Sequence, residues 1–117
     1  MPLIKIQTSV NTSDSGAVES LLTTLSAKLA KHLGKPESYV MTVFEPAIKM
    51  TFAGNFDPVC YIEIKSIGTI SPAQTKAMSQ DFCQEIQDKL GVPVNRTYIE
   101  FAEARGAMWG WNQSTFG

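Results

Sequence analysis

Apolar residues recur at steps of three and four from Ala17 to Leu33, as Val18, Leu21, Leu22, Leu25, Leu29 and Leu33, the stripe of an amphipathic helix. The polar run Thr12, Ser13, Asp14, Ser15 marks its start, and Gly34 with Pro36 its end. A second stripe, Met78, Phe82, Ile86 and Leu90, predicts a second helix. Ser71 as N-cap, Pro72 at the first helical position and Gln74 three residues after the cap form a capping-box pattern at its start. Gly91 and Pro93 close it. Between these stripes the period changes to two. Leu3, Ile4 and Ile6 are broken by Lys5 and Gln7, and similar short runs surround Val40 and Val43, Ile62 and Ile64, and Ile99, so four strands are predicted. The stretch from Lys49 to Ala53 reads as a brief additional strand.

The pattern is duplicated. LGKP beginning at Leu33 recurs as LGVP beginning at Leu90, LGKPESYVMTVFE aligns with LGVPVNRTYIEFAE, and IKIQTS resembles IEIKSI. Each half reads strand, helix, strand. Two such units with right-handed crossovers most simply share one four-stranded mixed sheet with both helices on one face, an α+β fold. Residues 1–117 are thus expected to be one domain, with a duplication of 2–46 and 60–103 and an aromatic tail at 107–117. The second sheet face is left uncovered. With Ile4, Ile6, Val40, Val43, Ile62, Ile64 and Ile99 in the strands, that face is expected to be apolar and covered by further copies of the chain, which predicts a homo-oligomer.

Composition narrows the function classes. A net charge of −1 gives no basic excess with which to hold a nucleic-acid backbone or an anionic membrane. The apolar runs fall short of the ~18 residues of a membrane span. Two cysteines, Cys60 and Cys83, lack C-x-x-C spacing and read as buried apolar fillers. The single histidine, His32, lies on a basic helix end with Lys28, Lys31 and Lys35, with no acidic or sulfur neighbours in sequence, so no metal site is expected. No basic leader or apolar signal run precedes the first strand, and a cytoplasmic location or leaderless secretion is expected.

Two features carry candidate chemistry. Proline follows the initiator methionine, and a small second residue favours methionine removal, which would expose the secondary amine of Pro2, a potential base. The tail AMWGWNQSTFG brings Trp109, Trp111 and Phe116 close together, large aromatics that either pack on the core or a neighbour or form the rim of a pocket.

These segments together resemble the tautomerase superfamily, specifically the macrophage migration inhibitory factor and D-dopachrome tautomerase group. The resemblance runs through MPLIKIQT, LGKPESYV, KSIGTIS, NRTYIEF and GWNQSTFG, in that order along nearly the whole chain. It implies a homotrimer with pockets between subunits, no cofactor, and a small aromatic keto acid as substrate, converted between keto and enol forms as with phenylpyruvate or D-dopachrome. Pro2 matches the catalytic amino-terminal proline. To act as a base it must be neutral, so burial and nearby cations must bring it below the ~7.7–8.0 of an ordinary α-amine. Lys35 matches the substrate-binding lysine, although taken alone it also suits the negative end of a helix. Tyr98 matches a tyrosine donated by the adjacent subunit, and taken alone it is a half-buried strand aromatic. Ile67 matches a position that contacts ligand through its backbone. Tyr39, Trp109, Trp111 and Phe116 match or neighbour positions that wall the site.

The chain departs from the family pattern at several points. PVCYIE replaces the C-x-x-C pair of the vertebrate cytokine, Glu100 stands in place of an asparagine, and Trp109 in place of a smaller aliphatic residue. A carboxylate near the base would raise its pKa, and Trp109 would narrow the pocket mouth. The alternative function is a signalling or protein-binding trimer, recognised by a host or receptor protein, in which tautomerase activity is incidental. Asn11, Thr12 and Ala47 replace the characteristic loop residues of the vertebrate proteins and weigh against that alternative.

Overall fold

In the computed structural model, which describes residues 1–117, β1 (Leu3–Thr8) leads into α1 (Ser15–Leu33) and then β2 (Met41–Glu45). The second unit is β3 (Cys60–Ile67), α2 (Pro72–Leu90) and β4 (Thr97–Ala104). The tail forms a small hairpin of β5 (Gly110–Trp111) and β6 (Ser114–Thr115). The four long strands make one mixed sheet in the order β2-β1-β3-β4, with β1 parallel to β2, antiparallel to β3, and β3 parallel to β4. The two antiparallel central strands join the two βαβ units.

Local chemistry sets the helix ends. The Asp14 carboxylate accepts the Ala17 N–H at 3.0 Å, and Ser71 and Gln74 form the full capping box. At the end of α1, Gly34 adopts φ +64°, the Gly34 N–H donates to the Lys31 carbonyl and the Lys35 N–H to the Ala30 carbonyl, a Schellman turn. That turn fixes the direction in which Lys35 leaves the helix.

The core lies between the helices and one sheet face. Ile4, Ile6, Ile62 and Ile64 are fully buried there against Leu21, Leu25 and Leu29 of α1 and Met78, Phe82 and Ile86 of α2. This corrects the expectation about the open face. Of the apolar strand residues expected to line it, Val43 alone does so, because Ile99 pairs in register with Ile62 on the helix side and Val40 packs on the core. The open face instead carries Lys5, Gln7, Glu45, Tyr61, Glu63, Lys65, Tyr98 and Glu100 between its few apolar positions. The Lys5 ammonium lies 3.2 Å from Glu63, and Gln7 donates to Glu45 at 2.8 Å. Alternation along one strand buries every second residue, so Ile4 and Ile6 cannot also serve the opposite face.

Three other expectations are revised. Lys49 to Ala53 is not a strand; only an isolated bridge joins Phe52 to Asn55. Cys60 is buried, and burial pushes its thiol up to about 12, whereas Cys83 is only half-buried. His32 does have an acidic neighbour, because α2 brings Asp81 Oδ2 to 2.8 Å from its Nε2.

That contact belongs to a ladder between the helices. Lys28 Nζ donates to Asp81 at 2.6 Å and to Glu85 at 2.9 Å. Burial would push the Asp81 carboxyl up, but the bonds from Lys28 and His32 outweigh it and hold the group below its ordinary value. A carboxyl depressed in the folded state contributes stability above its unfolded pKa, and loses it as pH falls through the folded value. Asp81→Asn is therefore expected to cost about 1 kcal/mol at neutral pH, allowing for solvent screening of these partly exposed groups. In urea titrations against wild type, that difference should shrink as the pH is lowered through the carboxylate range.

Candidate active site

One end of the sheet gathers the start of β1, the end of β3, the turn after α1 and the tail. Pro2 is buried there, and its carbonyl accepts the Met41 N–H at 3.0 Å, which ties it to β2. A pocket of about 290 Å³ opens around it, lined by Met1, Pro2, Leu3, Ser38, Tyr39, Val40, Met41, Trp109, Gly110, Trp111 and Phe116.

The aromatic wall is organised by the tail. Trp111 and Phe116 stack with centroids 5.4 Å apart, and Tyr39 meets both edge-on at 5.4 and 5.8 Å. The Phe116 N–H donates to the Gly106 and Trp109 carbonyls at 3.1 and 3.2 Å. This return requires glycine at Gly106, since a Cβ there would stand 2.8 Å from the Phe116 carbonyl oxygen. Within one chain, Trp109, Trp111 and Phe116 all line this pocket.

Lys35 supplies the positive charge at this end. Its Nζ lies 3.8 Å from the place a Cβ would occupy on Gly68, immediately after β3. The amino terminus feels it: burial first, then the Lys35 charge, lowers the α-amine of Met1 from its ordinary value. Ile67 is the last residue of β3 and, by the antiparallel register with β1, lies at the Pro2 end of the sheet. It faces a neighbouring hollow of about 430 Å³ shared with Gly68, Thr69 and Arg105.

Tyr98 stands apart. It pairs with Tyr61, which pairs with Gln7, five residues along β1 from Pro2, so it is displaced by about 17 Å along the strand direction and by two strands to the side. Within one chain its ring meets only the Phe52 ring among aromatic partners. Glu100 lies on the open face in the row of Lys5 and Glu63, also away from the pocket.

Leu3, Ser38, Val40, Met41 and Gly110 also line the wall and escaped the sequence reading. Val40 and Met41 follow Tyr39 in LGKPESYVM, and Met41 sits on the edge strand with 62% of its surface exposed. A larger hollow of about 660 Å³ lies between the helices, but its Lys28, His32 and Asp81 are already paired with one another. The Pro2 pocket combines an aromatic wall and the buried amino-terminal proline with the nearby charge of Lys35, which has no ion-pair partner.

A family model described as macrophage migration inhibitory factor (MIF) matches residues 1–117. The chain is 36% identical over 116 residues to macrophage migration inhibitory factor from Meriones unguiculatus, covering 99% of each chain. It is 35% identical over 117 residues to a macrophage migration inhibitory factor homolog from Brugia malayi, covering 100% of each. Among solved structures, a macrophage migration inhibitory factor homologue from Prochlorococcus marinus superposes with a TM-score of 0.92 at 49% identity, over 98% of this chain and 99% of the other. Macrophage migration inhibitory factor from Toxoplasma gondii gives a TM-score of 0.92 at 30% identity, over 97% and 99%. By the match of its whole sequence and of its fold, the chain belongs to the macrophage migration inhibitory factor family.

Proposed function

We propose that this protein is a keto–enol tautomerase of small aromatic keto acids such as phenylpyruvate, acting as a homotrimer with Pro2 as general base. The observation that supports it most directly is the meeting of Pro2, an apolar aromatic pocket and the Lys35 charge at one end of the sheet. Removal of Met1 turns the Pro2 nitrogen from an amide into a secondary amine. At that position burial and Lys35 both disfavour the protonated form, as they do for the Met1 amine, and a neutral amine is what proton abstraction needs.

In this reading Pro2 takes the proton from the carbon beside the ketone and returns it to the enolate oxygen. The substrate ring lies against Tyr39, Trp109, Trp111 and Phe116, and the Ile67 backbone contacts the ligand. Lys35 holds the carboxylate and stabilises charge that builds on the oxygen. Tyr98 cannot reach the pocket of its own chain and is supplied by an adjacent copy. The open sheet face, polar but self-paired in part, is the surface that assembly would cover.

The test is tautomerisation of phenylpyruvate and D-dopachrome methyl ester by protein with mass-verified loss of Met1, with Pro2→Gly beside it. Lys35→Gln should raise KM for phenylpyruvate at least ~10-fold, as for loss of a hydrogen bond to a charged group. It should also move the acidic limb of the pH–rate profile upward, because removing the cation makes the Pro2 amine easier to protonate. An unchanged limb would remove Lys35 from the tuning of the base.

A further inference from the structure

The segment between β2 and β3 leaves the sheet and returns, and one side chain makes three bonds to it. The Arg96 guanidinium donates from Nε to the Pro58 carbonyl at 2.8 Å, from Nη2 to the Asp57 carbonyl at 2.9 Å and from Nη1 to the Phe52 carbonyl at 3.3 Å. Its carbon centre also sits 5.2 Å from the centroid of the Phe52 ring. Phe52 is therefore held twice by one residue, by its carbonyl and by its ring. The Phe52–Asn55 bridge, with both N–H···O distances at 3.1 Å, closes the tip beyond it.

The other side of the Phe52 ring relationship is Tyr98. The two rings meet edge to face, with centroids 5.1 Å apart and planes at 68°. Tyr98 is the second residue of an edge strand and is 66% exposed, so little else in the chain restrains its side chain. An exposed aromatic at such a place has several staggered rotamers open to it.

We propose that Arg96, acting through Phe52, is a positioning residue for Tyr98, fixing its ring in the orientation in which it enters the neighbouring subunit's pocket. The inference rests on the tautomerase reading given above and extends it to residues far from the reacting atoms. Arginine is required because three backbone acceptors are met by one planar fork, which the point charge of lysine does not reproduce. Phe52 is required because its ring face takes the cation and its position takes the edge contact with Tyr98.

The test is a double-mutant cycle on the assembled, Met1-free protein, with Arg96→Lys and Tyr98→Phe alone and together. Arg96→Lys is expected to lower kcat/KM for phenylpyruvate by roughly 3–10-fold in the wild-type background and by less than about twofold when Tyr98→Phe is present. Phe52→Leu, which keeps the Arg96 bonds to backbone and removes the ring, should behave in the same way and guards against loss of folding in the first variant. With fluorotyrosine at the tyrosine positions, the fluorine resonance assigned to Tyr98 should shift or sharpen in both variants. Equal losses in the two backgrounds, or an unmoved Tyr98 resonance, would overturn the inference. The failure of the tautomerase reading looks different: it appears as indifference of the rate to Pro2→Gly. A silent Tyr98→Phe in an enzyme that still depends on Pro2 overturns the positioning role alone.

Discussion

Pro2→Gly, in chains freed of Met1, is expected to lower kcat/KM for phenylpyruvate at least ~100-fold, the lower end of what a well-positioned general base contributes. That corresponds to about 2.7 kcal/mol of transition-state stabilisation. Glycine keeps an amino-terminal amine in the same place, so the experiment does not delete the nitrogen. It deletes the ring that fixes the direction of the lone pair and the apolar bulk that keeps water from the amine. The Pro2 carbonyl bond to the Met41 N–H uses backbone alone and survives the change, which favours a folded variant. Protein that retains Met1 provides a second arm. Its Pro2 nitrogen is an amide and accepts no proton, so it should be as slow as the glycine variant.

The pH dependence gives the same proposal an independent sign. The base works when neutral, so the rate should rise with pH through the Pro2 amine pKa. Burial first and the Lys35 charge second lower the Met1 amine at this terminus, and the same causes acting on the freed Pro2 amine are expected to place the limb below the ordinary value of that amine. Equal rates for wild type and Pro2→Gly in folded, trimeric protein would dismiss the catalytic reading and leave a protein-binding trimer as the working alternative. A limb at or above the ordinary value would mean that the pocket does not tune the amine in the assembled state.

Helices and caps were legible in the sequence because their signals are local. Asp14 and Ser71, Gly34 and Gly91 act on neighbours within a turn, and the two leucine- and phenylalanine-bearing stripes need a single period to be read. Strand existence was equally local, but which face a residue occupies was not. Ile4, Ile6, Ile62 and Ile64 share a face because β1 and β3 are paired in one register, and that register is a long-range fact. Lys5, Gln7, Glu63 and Lys65 are the residues in between, and the polar open face follows from them once the pairing is known. The Lys49–Ala53 segment has the letters of a strand and no partner, since β2 already forms that edge of the sheet.

Site residues divide in the same way. Tyr39 and Trp111 fall in recognisable segments, and the structure brings them together with Pro2, while it leaves Tyr98 at the far end of the sheet. The Arg96 clamp could not have been found by pattern. All three of its acceptors are backbone carbonyls, which any residue supplies, so no side-chain letter announces them. The His32–Asp81 pair was hidden for a different reason: both side chains are visible in the sequence, but they lie on two helices separated by an intervening strand pair, and only the packing of those helices brings them together.

Phe82→Ala is expected to destabilise the chain by about 3–5 kcal/mol, measured by urea or guanidinium titration at fixed protein concentration. The ring is fully buried, among the largest side chains in the core, between α2 and the sheet face that carries Ile62 and Ile64. Against the ~5–15 kcal/mol available to a typical domain, such a loss leaves little folded margin. Gln80→Ala, exposed on the same helix, should change stability by less than about 0.5 kcal/mol, and comparable losses at both positions would mean that the core is not where the structure puts it. The effect should also reach the site. Phe82 meets the His32 ring edge-on at 5.5 Å, Asp81 bonds the same imidazole, and Gln74 donates to the His32 carbonyl at 3.2 Å. Three residues of α2 thus hold the last turn of α1, and the Schellman turn that follows aims Lys35 toward Gly68 and the amino terminus. Phe82→Leu, which fills part of the volume without the ring edge, should recover much of the stability. It should still raise KM for phenylpyruvate, because the helix end that positions Lys35 has lost one of its three restraints.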